Sequence, residues 1–185
     1  VKANFNSNSR PYEVSAAVAL TDTHLFADSP TTEKDLLNNS GETPNAPFKH
    51  GGCLDLMLAT DSTAASDRNA PVPGDQRLLI TQINGETRAL LYRAKVPGTK
   101  EPVAFSSPWR TITIDVVEDV TEHVTLATDK QGNFEISVPL SALHWQPNRD
   151  ADLARYLVYR NDIDCDAGFV KVGEVAAPTT GFTDA

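Results

Sequence analysis

The sequence predicts an all-β protein, an antiparallel two-sheet β-sandwich of the jelly-roll or immunoglobulin-like kind. Short apolar stretches recur along the chain with turn-forming residues between them. One stretch alternates polar and apolar residues with a period of two, and no stretch of about twelve residues keeps the apolar stripe of a helix. With 185 residues, the chain is long enough to bury the core of a sandwich.

The first predicted elements form a hairpin. Glu13–Leu20 and His24–Ala27 are apolar stretches of strand length, separated by a short polar turn. From Asp28 to Pro47 the chain is rich in Pro and Asn and poor in apolar residues, which predicts a loop outside the core. A strand follows at Cys53–Ala59, and residues 60–73 form a second predicted loop.

The clearest local signal is a hairpin with a two-residue turn. Asn84 and Gly85 separate the apolar stretches Arg77–Ile83 and Glu86–Arg93. Asn-Gly tolerates the two positive φ angles of a type I′ turn, whose twist suits paired strands. Further strands are predicted at Thr111–Val117, His123–Ala127 and Phe134–Pro139.

The charge balance argues against some classes of partner. Net charge is -9 and the isoelectric point is near 4.8, whereas binding to nucleic acid or anionic membrane needs clustered Lys and Arg. No apolar run approaches the roughly 20 residues of a membrane-spanning helix. We therefore expect no nucleic-acid partner and no membrane insertion. Frequent Thr, Asp, Val and Ala with scarce Lys favour a secreted bacterial protein at the cell surface or outside the cell.

Several segments resemble the DOMON-like β-sandwiches that are related to family 9 carbohydrate-binding modules. They lie between residues 14 and 143 and include Phe48–Leu58, Phe105–Thr111 and Asn133–Leu140. Gly52 departs from the family pattern, because an Asp is common at that position. The resemblance implies a surface-displayed sandwich that binds a ligand or acts as a spacer. It predicts a first domain at residues 1–143.

Residues 144–185 have two interpretations. Trp145, Tyr156–Arg160 and Phe169–Val175 follow one another as in the first half of a fibronectin type III domain, with Trp145 as a core residue. The same segments can instead supply the closing hairpin of the first sandwich. The sequence leaves both interpretations open.

Trp109 is the main candidate for binding a sugar. It follows Ser-Ser-Pro in a loop-like segment, and an exposed indole can stack on the C–H face of a sugar ring. Arg110, Tyr92 and Arg93 complete the predicted ligand-binding set. The alternative is that Trp109 covers the edge of the core.

Three alternating acidic residues make calcium the metal to expect, if one is bound. Asp162, Asp164 and Asp166 precede Gly168, and alternating carboxylates in a tight turn supply about half of the oxygens that calcium needs. The glycine is one position later than in a standard calcium loop. A solvated acidic turn is therefore the alternative.

Two further groups have an open chemical role. Met57 is the single methionine, and some DOMON domains hold haem through a Met with a Lys or His, for which His50 and His123 are conceivable partners. A buried thioether in the core is the favoured interpretation. Cys53 and Cys165 can form a disulfide only if the fold brings their Cα atoms close together.

The sequence lacks a convincing catalytic motif. Its four histidines fall at no metal-ligand spacing, and no Gly-x-Ser-x-Gly or phosphate-binding glycine loop occurs. We therefore predict a non-catalytic extracellular carbohydrate-binding module whose partner is a polysaccharide or a cell-surface glycan. One alternative is a structural subunit or spacer of a bacterial surface filament or layer, which self-associates through open strand edges. A haem-binding DOMON-type domain is the second alternative.

Overall fold

The computed structural model describes residues 2–7, 10–29, 35–61, 63–65, 67–106, 111–145, 155–164, 167–176 and 181–182. Side chains are described between residues 16 and 145, and the strands outside that range are described by their backbone pairing. Over these residues the chain forms sixteen strands and two short 3-10 turns, at Pro47–Lys49 and Thr121–His123. The strands are β1 (Lys2–Ser7), β2 (Arg10–Ser15), β3 (Ala17–Leu20), β4 (His24–Ser29), β5 (Asn38–Asn39), β6 (Leu54–Ala59), β7 (Asp75–Ile83), β8 (Glu86–Arg93), β9 (Val103–Ser106), β10 (Thr111–Ile114), β11 (Val116–Asp119), β12 (Thr125–Thr128), β13 (Phe134–Pro139), β14 (Arg155–Asp164), β15 (Ala167–Ala176) and β16 (Gly181–Phe182).

The predicted fold class is confirmed. The described chain is all-β and sandwich-like, and its strands pair antiparallel except for β5, which runs parallel to β7. None of the described residues forms a helix long and apolar enough to cross a membrane.

The chain divides into two compact units. The first unit comprises Val1–Lys34, Thr125–Leu140 and Pro147–Ala185, and the second comprises Asp35–Val124 and Ser141–Gln146. The domain boundary after residue 143 stays a prediction, as does the choice between a closing hairpin and a fibronectin-like segment.

The first unit contains a five-stranded sheet with one buried face. Its strand order is β12-β13-β4-β3-β16, and β1-β2 and β14-β15 form separate antiparallel pairs. Buried side chains alternate along β4 and β13, as expected for strands with one face on a core. The buried face carries Leu25, Ala27, Phe134, Ile136 and Val138.

The second unit is built around the predicted hairpin. Strands β7 and β8 pair from Gln76↔Arg93 to Ile83↔Glu86, with β6 and β11 on their outer sides. Asn84 and Gly85 have φ angles of 54° and 83°, so the two-residue turn with two positive φ angles is confirmed.

The segment predicted as a polar loop, Asp28–Pro47, contributes to the core. Leu37 and Ala46 in this segment are buried, and the Thr81 hydroxyl lies 2.8 Å from the Leu37 carbonyl oxygen. Buried Asn39 donates a hydrogen bond to the Pro47 carbonyl at 2.8 Å. A few apolar contacts and satisfied polar groups therefore hold a segment that its composition predicted to be solvated.

Gly52 is explained by a close approach of the backbone. A Cβ atom at this position would lie 1.6 Å from the Leu36 carbonyl oxygen, so no larger residue fits without moving the chain. The Gly52 carbonyl also lies 2.6 Å from the Thr81 hydroxyl. Glycine at this position is thus a packing requirement of this fold.

We expect Leu90→Ala to destabilise the protein strongly. Leu90 is 2% exposed and packs with Leu79 and Tyr92, so truncation removes buried methyl groups and leaves a cavity. The free energy of unfolding should fall by about 2–5 kcal/mol in urea titrations followed by circular dichroism. Met57→Ala is the control: its side chain is 52% exposed, and the change should be below about 0.5 kcal/mol. Equal losses in the two variants would contradict this assignment of the core.

Candidate functional site

One face of the first unit's sheet carries an aromatic ring among polar side chains. In β4, Leu25 and Ala27 are buried while Phe26 and Asp28 are exposed. Because successive residues of a strand point to opposite faces, paired residues of neighbouring strands continue the same face. We call the exposed set the platform face. Its members are His24, Phe26 and Asp28 on β4, Glu135 and Ser137 on β13, and Thr125 on β12.

Small side chains beside Phe26 leave a groove on the platform face. Ala17, Ala19 and Ala127 occupy same-face positions on the neighbouring strands. The groove has a volume of about 480 Å³, and Phe26 within it is 40% exposed. An aromatic ring with this exposure offers solvent an apolar surface that a flat ligand can cover.

The ring of Phe26 is supported by the turn that precedes β4. The His24 ring stacks against it with centroids 5.8 Å apart and planes inclined by 29°. Thr21 Oγ1 accepts a hydrogen bond from the His24 amide at 3.0 Å, and Thr23 Oγ1 lies 2.9 Å from His24 Nδ1. The turn thus fixes His24, and His24 restricts the orientation of the Phe26 ring.

Two carboxylates face each other beside this ring. Asp28 and Glu135 are direct cross-strand partners, and the next pair on the same face is Phe26 and Ser137, with Thr125 beyond it. Like charges opposite one another destabilise a sheet. Among the described residues, neither carboxylate has a hydrogen bond or an ion pair. The carboxylates of Asp28 and Glu135 therefore remain available next to the Phe26 ring. The hydroxyls of Ser137 and Thr125 lie on the same face.

Tyr92 does not form part of an exposed site, which corrects the sequence prediction. It is 2% exposed, and its hydroxyl donates a hydrogen bond to the Asn45 carbonyl at 2.8 Å. Its ring packs against Phe105 and Phe48, at centroid distances of 5.8 and 6.4 Å. Burial raises the pKa of the Tyr92 phenol well above its ordinary value. Tyr92 is a core residue of the second unit.

Arg93 is engaged in a three-residue charge cluster. Its Nη1 donates to Glu118 Oε1 at 3.0 Å, and His144 Nε2 lies 2.7 Å from Glu118 Oε2. Burial alone would raise the pKa of Glu118, but hydrogen bonds from His144 and Arg93 outweigh it and hold the pKa below its ordinary value. Arg93 thus has a protein partner in the second unit, and its predicted role toward a ligand stays untested.

For the remaining predicted site residues, the structure describes either nothing or the backbone pairing only. Trp109, Arg110 and Asp166 are outside the described residues, and Asp162 and Asp164 belong to β14, which is described by its backbone pairing. No group of three or more His, Cys, Asp or Glu suited to a metal ion occurs among the described residues. Sugar stacking on Trp109 and calcium binding by the three Asp residues stay predictions.

Met57 is on an exposed strand, and its predicted place in the core is wrong. Met57 is 52% exposed on β6, and the alternative of haem binding through it stays a prediction. Cys53 is a half-buried free cysteine, and burial raises the pKa of its thiol. Trp145 is half-buried. Cys165 lies outside the described residues, so the question of a disulfide with Cys53 stays open.

Arg77 forms an ordered ion pair with Asp55 over the aromatic cluster of the second unit. Its Nε and Nη2 donate to the Asp55 carboxylate at 3.0 and 2.6 Å. Its guanidinium centre lies 4.7 Å from the Phe48 ring centroid. Arg is suited to this arrangement, because a planar guanidinium binds a carboxylate with two hydrogen bonds while stacking on a ring. This cluster rests on contacts internal to the second unit.

Sequence reasoning missed the platform face. The signal was present in His24-Leu-Phe-Ala-Asp28, where polar and aromatic residues alternate with apolar ones. The apolar residues of this segment predict a hairpin strand, and the residues between them lie on its opposite face. The pairing of Asp28 with Glu135, over 100 positions later, required the fold.

Comparison with protein-family models, with curated proteins and with solved structures finds no match for this chain. Its function is therefore inferred from its own residues.

We expect Glu118→Gln to weaken the second unit, most at neutral pH. Because the pKa of Glu118 is lower in the folded state, its stabilisation is present above the unfolded value of about 4.3 and is lost as pH falls through the folded value. The variant should lose about 1 kcal/mol at neutral pH and show a smaller loss on acidification than the parent. Urea titrations at several pH values measure both effects.

Glu122→Gln is the control for this experiment. Glu122 has a side chain that is 83% exposed, and the neighbouring His123 Nε2 lies 3.4 Å from its Oε1. Its replacement should change the free energy of unfolding by less than about 0.5 kcal/mol. The assignment would be refuted if Glu118→Gln retained the full pH dependence of the parent.

Proposed function

We propose that this protein is a non-catalytic extracellular carbohydrate-binding module, and that a polysaccharide or cell-surface glycan binds across the platform face. The observation that carries the proposal is the exposed ring of Phe26 in a groove of about 480 Å³ on the sheet. A flat, exposed aromatic ring on a rigid sheet suits the apolar C–H face of a pyranose.

Polar groups around Phe26 are spaced to meet the hydroxyls of a stacked sugar. Phe26 and Ser137 form one cross-strand pair, and Asp28 and Glu135 form the next same-face pair, about 6.6 Å away along the strands. A hexose lying on Phe26 therefore has carboxylate and hydroxyl acceptors at its rim. Acceptors of this kind fix the orientation of a ligand that stacking alone holds loosely.

The two carboxylates of the platform face suit binding better than hydrolysis. Glycosidases use a pair of acids whose environments differ, so that one stays protonated while the other is ionised. Asp28 and Glu135 are exposed cross-strand partners on one open sheet face. An open position without an enclosing pocket supports the non-catalytic interpretation of the site.

A second candidate function, a subunit of a surface assembly, is favoured by the edge of β6. Among the described residues β6 pairs with β7 on one side, and its outward-facing Met57 is 52% exposed. A strand edge with an apolar side chain can pair with a strand of a neighbouring molecule.

The stacking proposal predicts that Phe26→Ala weakens binding of a soluble glycan at least tenfold, about 1.4 kcal/mol. Isothermal titration against neutral oligosaccharides from a glycan array measures the change. Ile112→Ala is the matched control, because Ile112 is 41% exposed on β10 in the second unit. Trp109→Ala in the same series tests the residue predicted from the sequence. If Phe26→Ala binds like the parent while Trp109→Ala does not, the site is at Trp109.

The assembly candidate predicts self-association that Met57→Lys abolishes, because a charged side chain at an edge opposes strand pairing. Sedimentation velocity over a range of micromolar concentrations measures it. Ile112→Lys is the control for adding a charge to another exposed strand position. A parent protein that stays monomeric throughout would rule out this candidate.

A further inference from the structure

We infer that the platform face selects glycans that carry free amino groups over neutral and acidic ones. This inference rests on the proposed carbohydrate-binding function and specifies its ligand class. It is carried by the charge of the groove beside Phe26, which is a separate observation from the exposure of the ring.

The charged side chains that line the groove are all acidic. Asp28 and Glu135 are direct cross-strand partners, and none of the described lining residues is Lys or Arg. Cross-strand partners have Cβ atoms about 4.5–5.5 Å apart, so the two carboxylates face a common point above the sheet. A group that carries positive charge at that point satisfies both.

Among the described residues, the protein supplies no positively charged side chain that pairs with Asp28 or Glu135. Several acids on the described strands have close cationic partners: Asp55 with Arg77, Asp119 with Arg88, and Glu118 with Arg93. Asp28 and Glu135 have none among the described residues, although they stand directly opposite one another and like charges in such positions destabilise a sheet. A ligand ammonium group replaces the missing partner.

A glycan of amino sugars combines both features that the groove recognises. The C–H face of each pyranose stacks on Phe26, and the ammonium group on the ring rim donates hydrogen bonds to Asp28 and Glu135. Hydrogen bonds between charged groups are stronger than those between neutral ones. A polyuronate has the same ring shape with the opposite charge, and the two carboxylates repel it.

Two oligomers that differ in one substituent on each sugar test this selectivity. Chitohexaose carries a free amine on each sugar, and its N-acetylated counterpart carries a neutral amide on the same backbone. In slightly acidic buffer of low ionic strength, we expect isothermal titration to show about tenfold tighter binding of chitohexaose. The preference should shrink at high salt, since exposed charges are screened. Phe26→Ala should weaken the binding of both oligomers.

The double variant Asp28→Asn with Glu135→Gln should abolish the preference and leave binding of the acetylated oligomer within a factor of about two. Glu86→Gln with Glu101→Gln removes the same charge from exposed positions of the second unit and should keep the preference. Hexalysine, a cation without sugar rings, should bind at least tenfold more weakly than chitohexaose.

Each contrary outcome separates the two proposals. Equal binding of both hexamers, with Phe26 still required, would overturn the amino-sugar inference and leave carbohydrate binding standing. Loss of the preference in the Glu86 and Glu101 variant, or equal binding of hexalysine, would mean general attraction to an acidic protein and would likewise overturn it. Binding of neither hexamer, nor of any neutral glycan on the array, would overturn both.

Discussion

The platform face depends on the register of β4 against β13. This pairing aligns Phe26 with Ser137 and Asp28 with Glu135 on one face, and Leu25 with Val138 on the other. A slip of one residue would turn the buried apolar side chains to solvent and move the carboxylates into the core. Burying unpaired charges is costly, so core packing and the platform face are specified by the same register. The turn at Thr21 and His24 helps to fix it, because it hydrogen-bonds the start of β4.

The second unit differs from the first in how its central strands are buried. Both faces of its central hairpin are largely buried: Leu79, Leu90 and Tyr92 lie on one face, and Leu78, Ile80 and Leu91 lie on the other. Such strands show a continuous apolar run instead of a clean alternation. The cluster over the first face ends in Arg77, whose guanidinium covers Phe48 and binds Asp55. The long segment at residues 35–53 completes this unit through backbone groups that Thr81 and Asn39 satisfy.

Local signals in the sequence predicted local structure well. Asn84-Gly85 predicts its turn because few residue pairs tolerate two positive φ angles, and the neighbouring strands follow from it. Tyr92 and Met57 were misassigned because both lie on apolar runs, in which the period of two does not identify the buried face. Their exposures of 2% and 52% depend on which neighbouring strands and loops cover each position. The acidic pair of the platform face depends on a contact between residues 28 and 135, which no local pattern encodes.

Asp28 and Glu135 have no cationic partner among the described residues, and this distinguishes their surface from an ordinary solvent-facing sheet. A sheet face that only contacts water gains stability from opposite charges on neighbouring strands, and the second unit has such a pair in Arg77 on β7 and Asp55, its diagonal neighbour on β6. The first unit instead has two acids opposite one another, beside an aromatic ring that remains exposed. Both features reduce the stability of the free protein, and a ligand that covered the ring and neutralised the charges would offset them. Local departures from the stabilising pattern concentrate at functional sites, because selection there acts on the bound state. An exposed aromatic ring and two opposed acids occur together on the platform face, and this is why we propose that a ligand binds there.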